Sequence, residues 1–182
     1  MKTIFFTVIA IPLAVVHVAY AQEIEFPKPT AEHAFLKKFV GDWATTSYSV
    51  ASPDQPKMKC EGKMKSRMVG GFWVVTETEA SFPGMKFTAV QTIGYDEESK
   101  KYVGTWIDSM VNHMWKYEGT EKGDTLTLEA TGPNFMAAGE KSQFRDVYEF
   151  VSDDDIKVTS LMQAEDGSWN TFMTGTATRI KP

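Results

Sequence analysis

Thr30-Ala-Glu-His-Ala-Phe-Leu-Lys-Lys-Phe-Val-Gly-Asp-Trp-Ala-Thr-Thr-Ser-Tyr-Ser-Val50 decides the fold. It reads as one short helix, a glycine stop and the start of a strand. Thr30 suits an N-cap, because its hydroxyl can accept from an unpaired N–H of the first helical turn. Ala31, Phe35 and Leu36, then Phe39 and Val40, recur at helical spacing and leave Glu32, Lys37 and Lys38 on a polar back. Gly41 suits the left-handed residue that ends helices. Trp43 is then the first large side chain of a strand. The expected use of this pattern is a helix over 30–39 that plugs one end of a barrel, with Trp43 sealing that end.

Outward from there the chain reads as strand after strand. Strand-like runs lie near 42–50, 57–69, 72–80, 86–95, 101–108, 112–119, 124–131, 142–151, 155–163 and 168–180. Turn signals separate them, among them Pro53-Asp54, Gly70-Gly71, Pro83-Gly84, Asp96-Glu97-Glu98-Ser99, Gly123-Asp124, Asp153-Asp154-Asp155 and Asp166-Gly167. Short strands joined by tight turns, with no strand-helix alternation, predict an all-β fold. The expected architecture is an antiparallel up-and-down barrel of about ten strands over residues 30–182, closed by the short N-terminal helix.

The clearest alternation runs from Lys57 to Met68. Lys57, Lys59, Glu61, Lys63, Lys65 and Arg67 fall on one face, and Met58, Cys60, Gly62, Met64, Ser66 and Met68 on the other. The second face carries small and flexible groups, which predicts room rather than a filled core. On that reading Gly62 borders a cavity, and Gly62→Leu would be accepted. Further on, Phe144, Tyr148 and Phe150 share a face with Asp146, while Arg145 and Glu149 lie opposite with Val147. His113, Trp115 and Tyr117 also share a face. The longest irregular connection, Gly132 to Lys141, holds Pro133, Phe135 and Met136. It is either a flap over a barrel mouth or packing on its rim.

The first 21 residues are set apart. Lys2, an apolar run from Ile4 to Val18 and Ala19-Tyr20-Ala21 have the layout of a secretory signal peptide. Cleavage after Ala21 predicts an exported, periplasmic or secreted, chain of 182 less 21, or 161, residues. Gln22 to Pro29, with two prolines, reads as an extended lead-in. With Lys2 removed from the 19 basic residues, 18 remain against 24 acidic ones, a net charge of −6. That balance argues against nucleic acid as a partner. No basic amphipathic helix suggests a membrane surface, and no membrane insertion is expected after signal cleavage. Cys60, the single cysteine, cannot form an internal disulfide and is expected to be buried.

Several stretches carry a resemblance. Gly41-Asp42-Trp43 after a short helix is similar to the Gly-x-Trp signature of lipocalin-like barrels. Arg179 in Thr-Ala-Thr-Arg-Ile resembles the arginine that packs across that tryptophan. Arg67-Met-Val-Gly-Gly-Phe72, Gly94-Tyr95-Asp96, Tyr102-Val-Gly-Thr-Trp-Ile-Asp-Ser109 and Arg145 resemble a secreted bacterial family, domain of unknown function 1579. The similarity runs from about His33 to Ile180. It implies a lipocalin-like (calycin-type) barrel and no established activity. The family usually has a small residue after Asp-Ser-Met, where this chain has Val111, Asn112 and His113.

Catalytic signals are sparse. There is no nucleophile elbow and no phosphate-cradling glycine loop. No catalytic residue, metal site or cofactor is expected, and the chain reads as a non-enzyme. The sulfurs of Met58, Cys60, Met64 and Met68 spread over about 13 Å along a strand, too far for one soft metal ion. His113 is the one residue that invites a haem-binding or enzymatic barrel. Barrels of the nitrobindin type bind haem through a histidine, but this chain has none in its last strands.

The leading expectation is a protein that binds a small, mostly apolar molecule inside the barrel. The candidate cavity residues are Met58, Cys60, Met64, Trp106, Asp108, His113, Trp115, Tyr117 and Arg145, with Trp43 and Arg179 closing the far end. Asp108 and Arg145 would pair with each other or with hydroxyls if buried. The alternative is a structural or interaction module with a filled core. No protein partner can be named from the sequence.

Overall fold

A computed structural model describes residues 25–50 and 56–181. The expected signal peptide and its cleavage site lie outside the described residues. The helical stretch is split: an α-helix, α1 (Ala31–Phe35), runs directly into a 3-10 helix over Leu36–Phe39. Ten strands follow: β1 (Gly41–Ser49), β2 (Lys59–Val69), β3 (Trp73–Phe82), β4 (Met85–Asp96), β5 (Lys101–Asp108), β6 (Trp115–Lys122), β7 (Thr125–Pro133), β8 (Lys141–Phe150), β9 (Asp155–Gln163) and β10 (Trp169–Arg179). Each pairs antiparallel with its sequence neighbours, and β1 pairs with β10, so the sheet closes on itself. Among the described residues every strand has a neighbour on both sides, though β6 and β7 pair only between residues 118–122 and 125–129.

Alternation fixes the register. On β2 the charged residues face solvent, and Lys63 and Lys65 stand opposite Glu79 and Glu77 of β3. Opposite charges across a strand pair favour that pairing over a one-residue slip, which would also bury the lysines. On β7 the inward side chains are Leu126, Leu128 and Ala130, all buried.

The closed end is built as a plug. His33, Leu36 and Phe39 are the buried helical residues, spaced by three, so they line one face of a tightly wound turn. Thr30 caps the helix in a reciprocal box: its side chain faces the backbone N–H of His33, and its own N–H donates to His33 Nδ1 at 3.0 Å, tying the ring back over the helix start. Phe39 meets Phe150 edge-on, with ring centroids 4.8 Å apart. Tyr102 reaches up from β5 and donates to the Glu32 carbonyl at 3.0 Å.

Trp43 is fully buried beneath this plug, and its indole N–H donates to the Phe39 carbonyl at 2.8 Å. Arg179 stands opposite it on β10, with the guanidinium carbon 4.1 Å from the Trp43 ring centroid. The same guanidinium donates to the carbonyls of Lys38 and Val40 and to that of Asp153 in the β8–β9 turn. One planar cation thus joins the helix, the first strand, the last strand and a turn. Gly41 makes the approach possible: it takes φ +132, and a Cβ there would lie 2.5 Å from Arg179 Nη1.

Candidate functional site

The opposite end is open. Inside it lies a cavity of about 300 Å³. That is the lower end of the size range of small-molecule sites. Its wall is mostly apolar and aromatic: Met64, Trp106, Trp115, Phe144 and Phe172 contribute, with Cys60 and Ala80 as small residues. Burial pushes the Cys60 thiol up, which keeps it a neutral, unreactive wall group.

The polar groups on this wall form a short hydrogen-bonded set. Asp146, on β8, accepts from Tyr117 Oη at 2.6 Å and from Ser160 Oγ at 2.5 Å. Burial raises the Asp146 carboxyl above the usual range, and the two hydroxyl donors pull against that rise. Burial and the neighbouring Asp146 charge lift the Tyr117 phenol well above its ordinary value, so it stays a donor. Gln91 donates to Tyr148 Oη at 2.9 Å. Thr78 is only 8% exposed, lines the same cavity, and its hydroxyl has no hydrogen-bond partner.

Asp108 sits where β5 leaves the barrel wall. Its Oδ2 accepts from the Trp106 indole at 2.8 Å, and its Oδ1 accepts from the backbone of Met110 at 2.7 Å and of Val111 at 3.1 Å. The carboxylate therefore captures the chain after β5 and turns it. This explains why β6 begins at Trp115 rather than near residue 112.

The mouth is partly covered by the segment between β7 and β8. Asn134 Oδ1 accepts from the backbone of Met136 and Ala137, which folds this segment over the opening. Phe135 is 56% exposed, yet it packs against Phe144 and Phe172, with centroids 5.0 and 5.7 Å away. The segment thus packs across the rim of the mouth, and its Phe135 side chain borders the cavity.

Of the residues proposed from sequence, Cys60, Met64, Trp106, Asp108, Trp115 and Tyr117 lie on the cavity wall. Three do not. Met58 precedes β2 and is 42% exposed outside the cavity, because its backbone pairs with Ser49 at the rim. Arg145 points out of the barrel: it pairs with Glu129 and lies 3.9 Å from the Trp169 ring centroid, so it cannot meet Asp108. His113 belongs to the β5–β6 connection, not to a strand. Its ring packs edge-on against Trp115 at 5.0 Å, and its buried Nε2 has no hydrogen-bond partner among the described residues. His113 is therefore not among the residues that line the cavity.

Gly62 is also misplaced by the alternation argument. A Cβ there would lie 2.5 Å from the Glu79 carbonyl oxygen and 2.5 Å from Ala80 Cβ, so the glycine permits close strand approach rather than bordering open space. The residues that reasoning from sequence missed are Asp146, Ser160, Gln91, Tyr148 and Thr78. A signal existed for the first: Asp146 is the polar misfit on the face that carries Phe144, Tyr148 and Phe150. Among the described residues, no three His, Cys, Asp or Glu side chains gather as metal ligands.

Two solved structures share this architecture. The chain is similar to Rv2717c from M. tuberculosis, with a TM-score of 0.60 at 11% identity, covering 85% of this chain and 100% of that one. It is similar to the S-type phycobiliprotein lyase CPES from Guillardia theta, with a TM-score of 0.54 at 15% identity, covering 85% of this chain and 99% of that one. At these identities the likeness concerns the fold. No curated protein matches the sequence. A family profile does match, over residues 28–179, and this span takes in the helical plug and all ten strands. The chain therefore belongs to the family described as "Protein of unknown function (DUF1579)".

Proposed function

We propose that this protein binds a small, mostly apolar molecule inside its barrel, without chemistry, after export to the periplasm or beyond. The observation that carries the reading is the cavity of about 300 Å³ between the aromatic wall and Phe135. A barrel of this size can be filled by its own side chains. Here the inward positions include Cys60, Ala80, Ser160 and Gly175, which are too small to meet across the interior. The helix plug blocks one end, so entry is by the opposite end. Trp106 and Trp115 stand on the wall and report occupancy by fluorescence. A neutral apolar probe such as N-phenyl-1-naphthylamine should quench or shift their emission at saturable, one-to-one stoichiometry. Native mass spectrometry of protein taken from its own source should show a retained small molecule. An unchanged tryptophan signal together with a bare mass would remove the reading.

A second reading has its own observation. The open end carries exposed apolar side chains: Met85, Met110, Met114 and Met136, beside Phe135. Such a rim also suits an interaction module that docks a partner over the mouth. The same probe decides, because a module with no usable interior would leave the wall tryptophans unchanged.

A further inference from the structure

The cavity wall has an uneven charge inventory. Among the described residues that line it there are two carboxylates, Asp108 and Asp146, and no Lys, Arg or His. The cation nearest in sequence, Arg145, is turned outward and bound to Glu129. A carboxylate inside an apolar wall is normally held by a cation of the protein. Asp146 has only two hydroxyls. Burial, the larger effect, opposes its ionisation, and the two hydroxyl donors only partly offset that, so a cation beside it would supply what the wall lacks. The arrangement is half of an ion pair.

Asp108 differs. Its two oxygens already accept three N–H donors, one from an indole and two from the loop backbone, so its charge is spoken for by structure. The rest of the wall suits a cation as well. The faces of Trp106, Trp115, Tyr117 and Tyr148 carry the negative quadrupole that attracts an ammonium group. The buried Thr78 hydroxyl, which has no partner among the described residues, offers a further acceptor on the same wall.

We propose that the cavity selects cationic amines: a primary or secondary ammonium pairs with Asp146, its apolar body lies among the aromatic side chains, and carboxylates of the same shape are excluded. This deepens the ligand-binding reading and rests on it.

The test uses three probes of one shape: 2-(1-naphthyl)ethylamine, 2-(1-naphthyl)ethanol and 1-naphthylacetate. Affinities are measured by calorimetry on the unaltered protein near pH 7. The amine should bind roughly tenfold to hundredfold more tightly than the alcohol, the worth of a charge-assisted hydrogen bond in a dry site. The carboxylate should bind more weakly than either. The preference should survive about 0.5 M salt, because a buried pair is screened far less than surface charge. Asp146→Asn should remove the amine's advantage over the alcohol, because the neutral amide cannot pair with an ammonium.

If the alcohol binds but the amine gains nothing, or the carboxylate matches the amine, the amine proposal falls and the cavity reading stands. If salt abolishes the preference, it comes from the negative surface and the proposal again falls. If Asp146→Asn folds and still prefers the amine, the assignment to Asp146 is wrong. If none of the three probes binds, both readings fall together. The three-probe comparison decides without the variant, so misfolding of Asp146→Asn would not shield the idea.

Discussion

Ala80 and Gly62 stand opposite each other on β3 and β2, and enlarging each should have opposite effects. Ala80 lies on the cavity wall and is half-buried. Ala80→Leu adds three carbons toward space that is already there. At about 0.8 kcal/mol per buried CH₂, the gain is at most about 2.4 kcal/mol. Ordering the leucine side chain costs about 0.5–1 kcal/mol. The net expectation is about 1.5 kcal/mol of added stability, or about 3–6 °C in Tm for a domain of this size. Gly62→Ala adds one carbon where the Glu79 carbonyl and Ala80 Cβ each stand 2.5 Å away. Overpacking of that kind costs about 1–3 kcal/mol. Differential scanning calorimetry of both variants gives the two signs, and titration with the neutral probe gives the functional side: Ala80→Leu should bind it more weakly than the parent. If Ala80→Leu lowers the stability by more than about 1 kcal/mol, the interior is already packed and the cavity argument is refuted.

Other outcomes follow from the same contacts. Trp43→Ala should lose about 3–5 kcal/mol in urea unfolding, because a fully buried indole leaves a cavity under the plug. Arg179→Lys should lose less, because the ammonium keeps the charge but not the planar stack or the several carbonyl contacts; equal losses would show that those guanidinium contacts hold the barrel closed as much as the buried ring does. Phe135→Ala should leave Tm nearly unchanged and speed probe dissociation in stopped flow; an unchanged off-rate would show that this side chain does not gate entry. For pH, burial raises the folded-state pKa of Asp146 above its unfolded value. Between those two values the folded protein holds a proton that the unfolded chain has released, so this group's stabilisation is present below the unfolded pKa and is lost as pH rises through the folded one. Asp146→Asn lacks the effect, so its Tm relative to the parent should climb from about pH 4 upward and then level off. Parallel Tm curves would contradict the burial assignment.

Much of the fold could be read from residues. All ten strands were visible because each run of alternation ends at a glycine, proline or aspartate turn, and those turns have local causes. The Gly41-Asp42-Trp43 step was visible for the same reason. The start of β6 was not, because it depends on Asp108 turning its side chain back onto the backbone of Met110 and Val111. Site residues were legible where parity was followed. Parity put Arg145 opposite Phe144 and Asp146, so naming Arg145 as a cavity group ran against the pattern that should have pointed to Asp146. Gly62 shows a limit of another kind. Alternation says which face a residue takes, but not how closely the next strand approaches it. Whether the barrel is hollow depends on distances across the interior, and no single strand encodes those.

The plug end also holds both ends of the barrel chain. The lead-in reaches α1 there, with Pro29 close beside Gly71, and Ile180 leaves β10 there, its N–H bonded to the Asp42 carbonyl. The mouth therefore lies at the far pole from either attachment point. A tag, a linker or a solid support joined to either end would hold the protein upright with its opening turned to the solution. The orientation is set by topology alone, so a sensor surface coupled beside Pro29 or Ile180 should turn the mouths toward the solution.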